Sequence, residues 1–102
     1  MLKNIFDELE KFILFLGDDV SASTLKFYKA YKKIKNFATM EIYQKKVLIN
    51  FKLNPSSYQL NESLRDVSKI GHYGTGSLQL IIKQSDDILL ARKLLRNAYE
   101  SN

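Results

Sequence analysis

The chain has no cysteine, no tryptophan, one histidine and one proline among its 102 residues. Without thiols it can form neither a disulfide framework nor a thiolate metal site. A single histidine, His72, cannot build a structural zinc site or paired-histidine chemistry, so no metal or other cofactor is expected. One proline and four glycines leave no room for a disordered linker. The longest uninterrupted apolar run, Phe12 to Leu16, falls far short of the roughly 20 residues that span a bilayer. Asp7, Glu8 and Glu10 precede that run, the wrong charge order for a secretory signal. The expectation is a soluble, cytoplasmic chain forming one domain over residues 1–102.

What is abundant is positive charge, unevenly placed. The formal net charge is +5, yet residues 1–20 carry two lysines against five acids. Residues 24–53 carry eight lysines and only Glu41. A basic block beside an acidic one implies a surface with a positive pole, which bears on partners rather than on fold.

Leu2, Ile5, Phe6, Leu9, Phe12, Ile13 and Leu16 recur at steps of three and four and predict a helix with one buried stripe. Leu14 and Phe15 widen that stripe, so its last turn is expected to be buried on most sides. Gly17 closes it in a left-handed turn, and Asp18 to Ser23 reads as loop. From Leu25 the period becomes two. Strands are predicted at Leu25–Tyr31, Phe37–Tyr43 and Val47–Leu53, with turns at Lys32–Asn36 and Gln44–Lys46, giving a meander. Val47, Ile49, Phe51 and Leu53 share the core face of the third strand. In the second, Ala38, Met40 and Ile42 face the core, and Phe37, Thr39, Glu41 and Tyr43 face outward.

Asn54-Pro55-Ser56-Ser57 stops the third strand. One helical turn capped by Asn61 is expected within Asn61–Val67. A glycine-rich loop follows at Gly71–Gly76, then a strand at Leu78–Lys83. Ser85 caps a final helix with Asp86 and Asp87 in its first turn. The inner stripe of that helix is Ile88, Ala91, Leu94, Leu95, Ala98 and Tyr99. Strands flanked by helices define an α+β fold in two layers: an antiparallel sheet of four to five strands with the N- and C-terminal helices on one face.

The chemistry-bearing motifs are sparse. Gly76 is followed by Ser77 and a strand, so Gly71–Gly76 matches neither a phosphate-binding loop nor a dinucleotide fingerprint, both of which need a helix there. Asp18-Asp19 and Asp86-Asp87 are sequence neighbours, which point apart on a helix. No Asp or Glu stands two residues before a lysine, so the acid-x-Lys arrangement of many magnesium nucleases is missing. Lys26, Lys29, Lys32, Lys33, Lys35, Lys45, Lys46 and Lys52 interleave with aromatics, among them Tyr28 and Tyr43. Lysines contact phosphates and aromatics stack on unpaired bases, although lysines also keep sheet edges from pairing.

Several stretches together resemble a small bacterial and archaeal domain family labelled "predicted transport protein". They are Leu16-Gly17-Asp18-Asp19-Val20, Tyr31-Lys32-Lys33 through Asn36-Phe37-Ala38, Arg65-Asp66-Val67-Ser68, Gly71-His72-Tyr73-Gly74-Thr75-Gly76 and Asn97-Ala98-Tyr99-Glu100. The chain departs from the family pattern in carrying lysines at the basic turn where an arginine is expected, and Tyr73 where a tryptophan is frequent. The resemblance implies a domain found alone or C-terminal to nuclease-like and restriction-associated parts, hence an accessory role near DNA. It implies no catalytic residues, and the transport label conflicts with a chain that has no span able to cross a bilayer.

The expected function is therefore non-enzymatic: nucleic-acid binding or targeting through the lysine-rich hairpins with Tyr28, Tyr43, Arg65 and His72, with DNA or RNA as partner and no membrane. Two alternatives stand beside it. One is a protein-interaction or dimerisation domain using the outer sheet face with Phe37, Tyr43, Leu48 and Ile81. The other is a small ligand-binding domain or enzyme around Arg65, His72 and Tyr73.

Overall fold

Alternation builds the sheet and a 3.6-residue stripe builds each helix. The computed structural model describes residues 2–70, 76–84 and 87–102. The elements are α1 (Leu2–Phe15), β1 (Ser21–Thr24), β2 (Lys29–Lys32), β3 (Asn36–Tyr43), β4 (Lys46–Phe51), β5 (Leu64–Asp66), β6 (Leu78–Ile82) and α2 (Ile88–Ser101), with a 3₁₀ turn at Pro55–Ser57. The strands form one antiparallel sheet of order β1-β2-β3-β4-β6-β5. This is the predicted α+β architecture, with six strands rather than four to five.

Both helices cover the same face of β3 and β4. Val47, Ile49 and Phe51 of β4 and Leu78, Leu80 and Ile82 of β6 are fully buried in one cluster with Leu9, Ile13, Ala91, Leu94 and Leu95. Their register is direct: Val47 opposes Ile82, Ile49 opposes Leu80, and Phe51 opposes Leu78. The helices lie parallel, since Glu8 reaches Arg92 and Asp19 reaches Tyr99. The β3–β4 hairpin closes through Gln44 and Lys45, at φ 49° and 64°, the paired positive values that match the sheet's right-handed twist.

Several expectations are corrected. Leu14 and Phe15 are exposed, Phe15 at 88%, because α1 lies on the sheet with Ile5, Leu9 and Ile13 buried and Leu2, Phe6, Phe12 and Leu16 packed beside them, which leaves these two on the outer side. Asp18–Ser23 is not all loop, because Ser21–Thr24 pairs with β2 as an exposed edge strand. The predicted first strand starts later, at Lys29, since Leu25 to Tyr28 form the turn, closed by a Leu25 N–H bond to the Tyr28 carbonyl. Asn61 caps no helix. Its side chain accepts from the Ser63 and Leu64 amides and turns the chain into β5. Helix α2 begins at Ile88, with Asp87 at the cap and forming no side-chain cap bond. The Ser85 and Asp86 cap positions and the glycine loop at 71–75 lie outside the described residues.

Two glycines are closely surrounded. A Cβ at Gly17 would overlap the Tyr99 hydroxyl, so close approach rather than a left-handed turn explains that glycine. Gly76 has φ +111°, and a Cβ there would strike the Phe51 carbonyl, so it meets both conditions.

Phe37 is the most instructive correction. Tyr31 opposes Ala38 but Lys32 opposes Asn36, so β3 carries one extra residue at a bulge. The bulge breaks the alternation and turns Phe37 into the core, where it is fully buried edge-on against Tyr99 at 5.8 Å. Ile42, expected inside, is exposed at the far end of β3. Phe37→Ala is expected to lower unfolding free energy by about 3–5 kcal/mol in urea denaturation. A surface phenylalanine would change it by less than about 0.5 kcal/mol.

Candidate functional site

In a meander, successive turns fall at opposite ends of the sheet, and this divides the basic residues. Lys26 in the β1–β2 turn and Lys45 and Lys46 at the β3–β4 turn sit at one end. Lys83, which follows β6 beside the start of β4, joins them there. Lys32, Lys33 and Lys35 around the β2–β3 turn and Lys52 after β4 sit at the other. The eight residues of β3 separate the two groups by about 24 Å. The eight lysines singled out from the sequence thus form no single patch.

Two of them are occupied within the fold. Lys29 Nζ lies 2.7 Å from Glu10 on α1. The Tyr31 hydroxyl donates to the same carboxylate at 2.6 Å, so β2 is fastened to α1 by a charged knot. Lys33 Nζ lies 3.5 Å from the Tyr99 carbonyl and 4.5 Å from the centre of its ring, at the negative end of α2. Lys26, Lys32, Lys35, Lys45, Lys46, Lys52 and Lys83 form no ion pair among the described residues.

The two lysine groups have different company. The Lys26/Lys45/Lys46/Lys83 end also holds Tyr43, 54% exposed, and Phe27, half exposed beneath Lys26 with its Nζ 5.2 Å from the ring centre. Tyr28 is there too, half-buried. A groove of about 380 Å³ opens between α1 and the β1–β2 turn, lined by Phe6, Leu25, Phe27, Met40 and Ile42 with Lys3 and Lys26. The opposite end offers Lys32, Lys35 and Lys52, with Ile34 exposed at the turn.

The face of the sheet turned away from the helices carries a feature with no signal in composition. Thr39, Asn50, Gln79 and Arg65 stand side by side on β3, β4, β6 and β5. Asn50 Nδ2 donates to Thr39 Oγ1 at 3.3 Å, and Gln79 Nε2 donates to Asn50 Oδ1 at 3.1 Å. Arg65 Nε and Nη2 both donate to Gln79 Oε1, at 3.0 and 2.8 Å. Thr39 and Asn50 are 1% exposed and Gln79 3%, so a hydrogen-bonded polar row is buried on the face where solvated side chains were expected. Tyr43, Leu48 and Ile81 do lie on that face, whereas Phe37 lies in the core. His72 and Tyr73, grouped with Arg65 from the sequence, lie outside the described residues.

Among the described residues no group of three or more His, Cys, Asp or Glu could hold a metal ion. No helix there is long and apolar enough to cross a membrane. Phe27 is among the aromatics that interleave with the lysines in the sequence. Sequence reasoning missed Lys83, although a lysine directly after a strand paired with β4 was a usable signal. It missed the polar row because Thr, Asn and Gln on an outer face read as ordinary solvated residues.

The architecture is thus a six-stranded α+β domain with a basic, aromatic-bearing sheet end. By its sequence the chain belongs to the family described as a domain of unknown function, DUF5655, whose model matches residues 1–102. It is also similar to an uncharacterized protein of Haemophilus influenzae, 28% identical over 98 residues, covering 95% of this chain and 32% of that protein. The chain therefore spans about a third of that relative's length. No solved structure matches.

The Glu10 knot makes a pH prediction. Burial alone raises its pKa, but bonds from Lys29 and Tyr31 outweigh it and hold the carboxyl below its ordinary value. A depressed carboxyl contributes stability above its unfolded pKa and loses it as pH falls through the folded value. Thermal unfolding of the parent should therefore show a loss between neutral and acid pH that is smaller in Glu10→Gln, whose stability at neutral pH should already be lower.

Proposed function

We propose that the domain is a non-enzymatic module that binds single-stranded nucleic acid at the sheet end formed by the β1–β2 and β3–β4 turns. The observation that carries this reading is that four lysines with no ion pair among the described residues, Lys26, Lys45, Lys46 and Lys83, share one end of the sheet with the half-exposed rings of Phe27 and Tyr43. Ammonium groups that already have a carboxylate gain little from a phosphate, whereas these can release counterions from a nucleic-acid backbone. Rings beside them provide stacking surface that any unpaired base can use. The groove beside Phe27 is of a size to accept a base.

The role is best read as accessory. The chain matches about a third of its Haemophilus influenzae relative, as expected of a module carried within a larger protein. Placement beside nuclease-like or restriction-associated parts, implied by the family resemblance, is part of this proposal. A cytoplasmic location is the setting in which such a module would act.

Binding of a fluorescent oligothymidylate, measured by anisotropy over a range of salt, tests the proposal. Three to four phosphate contacts predict a log–log slope of roughly −2 to −3 on a single strand. Lys45→Gln and Lys46→Gln should each make that slope shallower by about 0.7. Tyr43→Ala should cost about 1–3 kcal/mol if its ring stacks on a base. A Lys32/Lys35/Lys52→Gln variant should bind nearly as the parent does. The proposal fails if no binding is seen at about 50 mM salt, or if that last variant alone loses it.

A further inference from the structure

Arg65 can only donate hydrogen bonds, and this fact gives direction to the whole polar row. Because Arg65 donates through Nε and Nη2 to Gln79, Gln79 must present its oxygen to the arginine and its amide nitrogen to Asn50. Asn50 must then accept with Oδ1 and donate with Nδ2 to Thr39, which is the arrangement found. Each amide is locked by the next, and the two amides are almost wholly removed from water. A guanidinium resting on such a row is held at one edge by a chain of polarised bonds across four strands.

The opposite edge is left over. Of five N–H groups, Nε–H and one on Nη2 are used among the described residues, leaving both on Nη1 and the second on Nη2. No carboxylate pairs with Arg65 among the described residues. Asp66, next in sequence, accepts from the Ser68 amide at 2.9 Å and its hydroxyl at 2.6 Å, and its pKa is lowered by those bonds. Arg65 itself is exposed. We infer that Arg65 is an oxyanion-binding residue, presenting its Nη1–Nη2 edge to the two oxygens of a carboxylate or phosphate group, with Gln79 and Asn50 as positioning residues. A guanidinium edge matches such a pair of oxygens, and fixing it beforehand removes part of the ordering cost of binding. The site lies on the opposite sheet edge from the β1–β2 turn and does not depend on the nucleic-acid reading.

The test is NMR observation of the Arg65 Nε–Hε and Gln79 side-chain amide peaks. The parent is titrated with inorganic phosphate and separately with acetate, at ionic strength held constant with chloride. Saturable movement of both peaks is expected, the stronger of the two ligands telling phosphate from carboxylate. Gln79→Leu keeps the arginine and its charge but removes the support, and should bind about tenfold more weakly. Gln79→Glu keeps an acceptor under Arg65 and lets Asn50 turn its amide to match, so the fold is retained. Its carboxylate neutralises the guanidinium and should abolish binding. The inference is overturned if the peaks follow total salt rather than oxyanion, or if both Gln79 variants bind as the parent does.

Discussion

The row Arg65–Gln79–Asn50–Thr39 holds four strands in one register, and the rest of the structure depends on that register. A slip of one residue in any of these strands would carry its core side chains to the open face. It would also leave buried amides without partners, at about 1–3 kcal/mol for each group. The apolar layer beneath, from Ile82 through Leu80 to Leu78, obeys the same alignment. Hydrophobic burial supplies the drive to collapse, but Leu, Ile and Val exchange places at small cost. The directional bonds of the polar row are what distinguish this pairing from its neighbours.

The helices depend on the sheet in turn. Helix α1 is seated by Ile5, Leu9 and Ile13 and fastened by Glu10 to Lys29 and Tyr31. Helix α2 is seated by Ala91, Leu94, Leu95 and Ala98, and Tyr99 joins Phe37, Lys33 and Asp19 at its last turn. Desolvation and the Glu10 bond both push the Tyr31 hydroxyl well above the ordinary tyrosine range. The phenol thus stays a donor, and the knot between β2 and α1 keeps its geometry across the neutral range. Among the described residues, Lys26 at the β1–β2 turn, Lys45 and Lys46 at the β3–β4 turn and Lys83 after β6 take part in none of these attachments.

Much of this fold is legible from pattern alone. The stripes of both helices and the alternation in Val47–Phe51 and Leu78–Ile82 fix the inner face, because those residues have only one way to hide from water together. What is not legible lacks such a pattern. Ser21–Thr24 is four small, exposed residues and becomes a strand only through pairing with β2. Leu64–Asp66 is three residues long, and its Leu-Arg-Asp sequence has no periodicity to read. Phe37 enters the core through a bulge, which alternation rules cannot foresee. The division of the lysines into two ends follows from the meander itself. Their chemistry was readable from composition, and their separation was readable from topology. The polar row was invisible because the residues that build it are the ones usually given to solvent.

The central claim is that one end of the sheet, with its lysines and exposed rings, is a surface for single-stranded nucleic acid. The most direct measurement is a map of amide shifts in the isotope-labelled domain as a short oligothymidylate is added. The account predicts shifts concentrated at residues 25–28, at 42–47 and at Lys83, with the β2–β3 turn and Lys52 little changed. Shifts centred on residues 32–35 and Lys52, or none at all as the oligonucleotide is raised to millimolar concentration, would contradict it.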